Sequence, residues 1–195
     1  MNTNKELLLV ENWLNTISTN YFSNPYFYFY EEDIRADFAF YMLGKIQATI
    51  FTHINKEIST SPIKFEYPSS FASKQRHDIV FLKANNSKNI YNLDISIAIE
   101  LKLGSLSYDR CAKFKEDILK LLGGYSIKEF TGIAIYFYQD KIDSKLFKEW
   151  FNDTVESFEI INSNEIRLEE LKVNTFIISP EYILKANNYR ALIKI

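Results

Sequence analysis

The stretch that most constrains this chain is LDISIAIELKL, residues 93 to 103. Aliphatic residues at alternate positions read as a strand, and parity splits it into two faces. Leu93, Ile95, Ile97, Ile99, Leu101 and Leu103 form one face. Asp94, Ser96, Ala98, Glu100 and Lys102 form the other, small in the middle and charged at the end. A one-residue slip would bury both charges and expose the aliphatic set, so the register is strongly specified. Glu100 and Lys102 then share one surface, about 7 Å apart at about 3.3 Å per residue.

The elements around this strand follow from periodicity. Leu7, Val10, Leu14 and Ile17 predict a helix over residues 4 to 19, closed by Asn24 and Pro25. A longer helix is predicted from Glu31 toward Ile58, with Ile34, Phe38, Tyr41 and Met42 on one stripe, Ile46 and Ile50 extending it, and Gly44 as a weak point. The pattern then turns extended at KFEYP (64 to 68) and HDIVFLK (77 to 83), with an Asn-rich connection leading into residues 93 to 103. Cys111, Phe114, Ile118 and Leu121 predict a helix over 108 to 122, stopped by Gly123 and Gly124. GIAIYFYQ (132 to 139) reads as a core strand, 144 to 158 as a helix, and NTFIIS (174 to 179) as a last strand. The order ααβββαβαβ implies an α/β domain with a mixed sheet flanked by helices. No linker divides the chain, so residues 1–195 are read as one domain, with 1–30 a helical extension and the core over about 31–180.

Composition removes several classes of function. Cys111 is the only cysteine and His53 and His77 the only histidines, which leaves no disulfide framework and no Cys/His zinc site within one chain. Any metal would be oxygen-bound. The net charge of −2 is not that of a protein that coats nucleic acid nonspecifically, so such contact would be local or metal-assisted. No long uncharged apolar run is present, and Glu6, Glu11 and Asn15 interrupt the start, so a cytoplasmic protein with no membrane partner is expected.

The neighbouring strand candidate adds a third charged group, Asp78, on a face with Val80 and Leu82. Antiparallel pairing brings it toward Glu100, although a turn centred near Ser87 would leave the two a few residues out of register, for a twist or bulge to absorb. Two carboxylates and a lysine on one sheet surface suit phosphodiester hydrolysis. The carboxylates can hold Mg²⁺, and the lysine can orient water or stabilise developing charge.

An Asp opening one strand, in RHDIVFLK, followed by Glu-x-Lys closing the next, in IAIELKL, resembles the PD-(D/E)XK nucleases, the superfamily of restriction endonucleases, DNA-repair nucleases and many small bacterial enzymes. The resemblance spans about residues 27 to 140. It implies a restriction-endonuclease-like fold and a Mg²⁺-dependent nuclease, with Mn²⁺ able to substitute, acting on nucleic acid and foremost on DNA. Asp78 and Glu100 would be metal ligands, the Leu101 carbonyl a further ligand, and Lys102 the group that orients water and stabilises charge. The acidic residue that the family carries in a preceding helix would match Glu31 or Glu32, and helical phase favours Glu31. His77 stands where the family often has proline. A chain this short that cuts both strands would act as a homodimer.

Plainer readings stand beside these. Glu100 and Lys102 could be an ion pair at a strand end, Asp78 a strand-start residue, and Glu31 and Glu32 acids placed on a helix dipole. His77 is read as structural and pointing away from the face of Asp78. Asp117, Lys113, Lys115 and Lys120 are read as surface charges. The aromatic run Tyr26 to Tyr30 could stack on bases, with core packing the plainer reading. A second Glu-Leu-Lys, residues 170 to 172, lacks apolar alternation before it and is taken as a decoy. The rival to an enzyme is an inactive nuclease-fold subunit that binds nucleic acid or a protein partner.

Overall fold

A computed structural model describes residues 3–68, 74–84, 93–105, 107–121, 130–140, 145, 148–150, 152–153, 173–181, 183–187 and 193–194. Helix α1 (Thr3–Ser23) leads the chain and buries Val10, Trp13, Leu14, Ile17 and Tyr21, a stripe at spacings of three and four. Helix α2 (Glu31–Met42) buries Ile34, Phe38 and Met42. The Asp33 carboxylate, in its first turn, accepts the Phe29 and Tyr30 N–H groups at 2.8 and 2.9 Å.

The second helix does not reach Ile58. It ends at Met42, and Gly44 follows at φ +76, a conformation that glycine adopts without a Cβ penalty. Residues 49–60 form a separate hairpin, β1 (Thr49–His53) with β2 (Lys56–Thr60), turning through Ile54 and Asn55 at φ 47 and 63. Positive φ at both central residues matches the twist of the flanking strands. Ile46 and Ile50 continued the helical spacing by coincidence, and the β-branched Thr49, Ile50, Thr52, Ile58 and Thr60 prefer extended backbone.

The main sheet has the order β3 (Ile63–Pro68), β4 (Arg76–Leu82), β5 (Ile95–Gly104), β6 (Thr131–Tyr138), β7 (Val173–Ile178), β8 (Ile183–Asn187), β9 (Ile193–Lys194), the last a two-residue edge. Pairing is antiparallel from β3 to β5, parallel across β5, β6 and β7, and antiparallel again through β8 and β9. Helix α3 (Tyr108–Leu121) crosses from β5 to β6. The class is thus α/β with a mixed sheet. The hairpin and the strands after β7 are additions to the expected order. Residues 145, 148–150 and 152–153 are helical, while the remainder of the predicted 144–158 helix, Gly123, Gly124 and the Glu-Leu-Lys copy at 170–172 lie outside the described residues.

Helices cover both faces of the sheet. Residues of α1 and α2 share one core cluster with Ile79, Phe81, Ile97, Ile99, Leu101, Ile133, Ile135 and Phe137. Phe114, Ile118 and Leu121 of α3 share the other with Val80, Ala98, Ala134, Tyr136 and Ile177. Gly132 permits the close approach of α3, because a Cβ there would lie 3.0 Å from Leu121 Cβ and 2.9 Å from Val173 Cγ2.

Strict alternation along residues 93 to 103 is broken. The register shifts between Phe81 and Leu82, so that Phe81 faces Ile97 while Leu82 faces Ile95. Ser96 is the extra residue of a bulge. Its hydroxyl contacts Glu6 Oε2 of α1 at 2.8 Å and the Phe81 carbonyl at 3.1 Å. Leu93 and Ile95 therefore belong to the α3-side core and Ile97, Ile99 and Leu101 to the opposite one. The face carrying Glu100 is likewise not open surface, since α3 covers it.

Candidate functional site

The β4–β5 ladder pairs Ile79 with Ile99, yet β4 begins at Arg76 and β5 runs on to Gly104. Asp78 is the next β4 residue beyond this last paired step, and Glu100 the next on β5. The pairing of Leu82 with Ile95 centres the connection between residues 88 and 89 rather than at 87, and with the bulge this removes the offset expected from sequence. Instead of a further ladder bond, the Leu101 N–H donates to Asp78 Oδ2 at 2.7 Å. In an extended strand the N–H and C=O of one residue face the same edge, so the Leu101 carbonyl also faces the β4 side.

Glu100 is 1% exposed. Its Oε1 lies 2.5 Å from His77 Nδ1 and its Oε2 2.6 Å from Lys120 Nζ. His77 thus reaches the Glu100 carboxylate instead of pointing away from the site. Burial pushes the Glu100 carboxyl up to about 9, with Asp78 and Asp117 adding to the shift and Lys120 opposing it. Burial also raises Asp78, against the pull of the Leu101 N–H, Lys120 and Arg35. The Arg35 guanidinium lies 3.7 Å from Asp78 Oδ1 and is held also by Glu66 and Glu32.

Lys102 projects on the α3 side and meets Asp117 Oδ2 at 3.2 Å and Glu31 Oε1 at 3.6 Å. Burial pulls its ammonium down, but Asp117, Glu31 and Asp78 outweigh this and hold it above the ordinary lysine value. Glu31 Oε1 also accepts the Leu103 N–H at 3.4 Å, and burial raises its carboxyl. Glu32 points elsewhere, to Arg35, as the helical phase predicts. Asp37 fixes α2, and with it Glu31, by accepting Trp13 Nε1 of α1 at 2.8 Å and the Tyr28 hydroxyl at 3.0 Å.

The structure therefore brings Asp78, Glu100, Lys102 and Glu31 to one end of β5 and adds three groups for which local sequence predicts structural or surface roles: His77, Asp117 and Lys120. Asp117 lies three residues from Phe114 and four from Leu121, on the rim of the apolar stripe, and that phase was a usable signal. Nothing in the local sequence ties Lys120 to Glu100, because their proximity depends on how α3 crosses β5. Among the aromatic run, Tyr28 is buried, while Tyr26, Phe27, Phe29 and Tyr30 are exposed directly before Glu31, so core packing accounts for one of the five.

Among the described residues, no three His, Cys, Asp or Glu side chains converge to hold a metal ion as they stand. The donor chemistry nevertheless fits a hard cation. Mg²⁺ is commonly held by one or two carboxylates, with water and substrate phosphate completing its shell. Asp78 and Asp117 raise the Glu100 and Glu31 carboxyls by repulsion, and Lys102 is the cation that faces the buried Asp117 Oδ2, at 3.2 Å. A divalent cation would relieve that repulsion.

No helix among the described residues is long and apolar enough to cross a membrane. Compared with models of known families, with characterised proteins and with solved structures, the chain matches none of them.

Proposed function

We propose that the protein is a Mg²⁺-dependent nuclease of the PD-(D/E)XK kind, hydrolysing phosphodiester bonds, with DNA as its first substrate to test. The observation that carries this reading is that Asp78 accepts the N–H of Leu101, which lies between Glu100 and Lys102, just past the last paired step of the β4–β5 ladder. Asp78, Glu100 and the Leu101 carbonyl would hold the cation, with Glu31 auxiliary. The metal, when bound, would supply a polarised phosphoryl oxygen and a more acidic water. Lys102, kept charged by Asp117 and Glu31, donates hydrogen bonds to the attacking water and to the charge that develops on phosphate. The exposed rings of Tyr26, Phe27, Phe29 and Tyr30 offer stacking surfaces for unpaired bases beside Glu31.

One observation favours a second reading, a nuclease-fold subunit without activity: both Glu100 oxygens are already engaged, by His77 and Lys120. Incubation of the pure chain with DNA and RNA in Mg²⁺ or Mn²⁺ separates the two. The nuclease reading expects cleavage that is abolished by chelation and lowered at least about a thousandfold, roughly 4 kcal/mol of barrier, by Asp78→Ala or Glu100→Ala. Nucleic-acid binding without cleavage or a Mn²⁺ site would establish the subunit reading instead.

A further inference from the structure

The ammonium of Lys120 lies among oxygens contributed by three parts of the chain. Its Nζ is 2.6 Å from Glu100 Oε2 on β5, 2.7 Å from the Arg76 carbonyl at the start of β4, and 3.6 Å from Asp117 Oδ1 one turn earlier on α3. Oxygen atoms arranged around a positive charge, one of them from a carboxylate proposed above as a metal ligand, are what a hard cation also requires. The lysine is held by a flexible four-carbon stem in the last turn of α3 and is only partly buried, so the charge can leave the cage without disturbing the backbone.

Resting on the nuclease reading, we propose that Lys120 is a built-in occupant of the cation site. Its ammonium occupies Glu100 Oε2 while no metal is bound, and it must withdraw for a divalent ion to take that oxygen. Glu100 Oε1 keeps its contact with His77 when the lysine leaves, so withdrawal frees Oε2 alone. Metal and lysine then compete for one oxygen. The displaced ammonium, still tethered beside the site, becomes a second cation available to substrate phosphate, while Lys102 stays with Asp117 and Glu31. Lys120 is in this sense a positioning residue that tunes metal entry.

The competition predicts a change in metal affinity that a structural lysine would not produce. Titration of the full chain with MnCl₂ near neutral pH, followed by calorimetry, should give at least about tenfold tighter binding for Lys120→Met than for the unsubstituted protein, a change of about 1.4 kcal/mol. Lys102→Met removes an equal charge nearby without vacating Glu100, and should tighten binding by less than about threefold if direct competition, rather than general electrostatics, is the cause. Thermal melting verifies that each variant folds, and Lys120→Gln replaces Lys120→Met if the latter does not. Unchanged or weaker binding in both neutral variants would overturn the proposal, as would equal tightening in Lys102→Met. Mn²⁺ binding that depends on Asp78 and Glu100 but is insensitive to Lys120 removes this inference alone. The absence of any Mn²⁺ site in the unsubstituted protein and in the Lys120 variants removes the nuclease reading with it.

Discussion

The two faces of β5 are both buried, yet they are filled with opposite chemistry. Toward α1 and α2, Ile97, Ile99 and Leu101 meet Trp13, Ile17 and Phe38 in a mainly apolar layer, with the Trp13 and Phe38 rings edge to face at 4.8 Å and a buried Glu6–Ser96 contact away from that packing. Toward α3, the central strands present Ala98, Gly132 and Ala134 to the apolar side of that helix, and the end of β5 carries Glu100 and Lys102 among His77, Asp117 and Lys120. One face therefore contributes stability. The other holds charge in a poorly hydrated setting, where electrostatic interactions are stronger than in water and desolvation is costly.

The largest effect that tests this contrast belongs to the apolar face. Phe38→Ala removes a ring packed on Trp13 and Phe81 and should cost about 3 to 5 kcal/mol in urea denaturation, with Mn²⁺ affinity of the folded protein unchanged. A loss under about 1 kcal/mol would mean that this face is not the main source of stability. Gly132→Ala acts on the other face. The added methyl meets Leu121 and Val173, and overpacking of this kind costs about 1 to 3 kcal/mol. Because it presses on the helix that carries Asp117 and Lys120, it should also change Mn²⁺ affinity, which separates it from Phe38→Ala.

The pH dependence of stability comes next. The folded-state value of Glu100, about 9, lies above its ordinary value of 4.5, so between these limits the folded protein binds more protons than the unfolded chain. Stability due to this group is complete below about pH 4.5 and declines as pH rises toward 9, by at most about 1.4 kcal/mol per pH unit for one proton. Denaturation across that range should show this decline, and Glu100→Gln should flatten it. An unaltered slope in the variant would show that burial does not govern Glu100. The smallest effect is predicted outside both faces. Phe29→Ser, at an exposed ring, should leave stability within about 0.5 kcal/mol and weaken binding of single-stranded oligonucleotide severalfold. Unchanged oligonucleotide affinity would remove the aromatic run from the proposed substrate path.

Much of the sheet was legible because short-range pattern controls it. The strands at 64–68, 77–83, 93–103, 132–139 and 174–179 all correspond to observed strands within one or two residues, and α3 to its predicted helix. Helix α2 does not extend to Ile58 because the β-branched residues after Gly44 favour extended backbone over the three-and-four spacing that continues through Ile46 and Ile50. Parity failed at Ser96 because a bulge inserts one residue, which is visible only once the partner strand is in place.

The sequence by itself determined that Glu100 and Lys102 share one side of a core strand, that Asp78 lies near the start of its antiparallel neighbour, and that Glu31 rather than Glu32 turns inward, because alternation and helical phase operate over a few residues. Tertiary structure alone decided that this side is covered, that His77 and Lys120 engage the Glu100 oxygens, and that Asp117 stands between Lys102 and Lys120. Those contacts join β4, β5 and α3 across 15 to 23 residues of chain, and they depend on the bulge at Ser96 and the close approach of α3 over Gly132. Local sequence pattern specifies which way a side chain faces on its own element, whereas what it meets there is set by packing between elements.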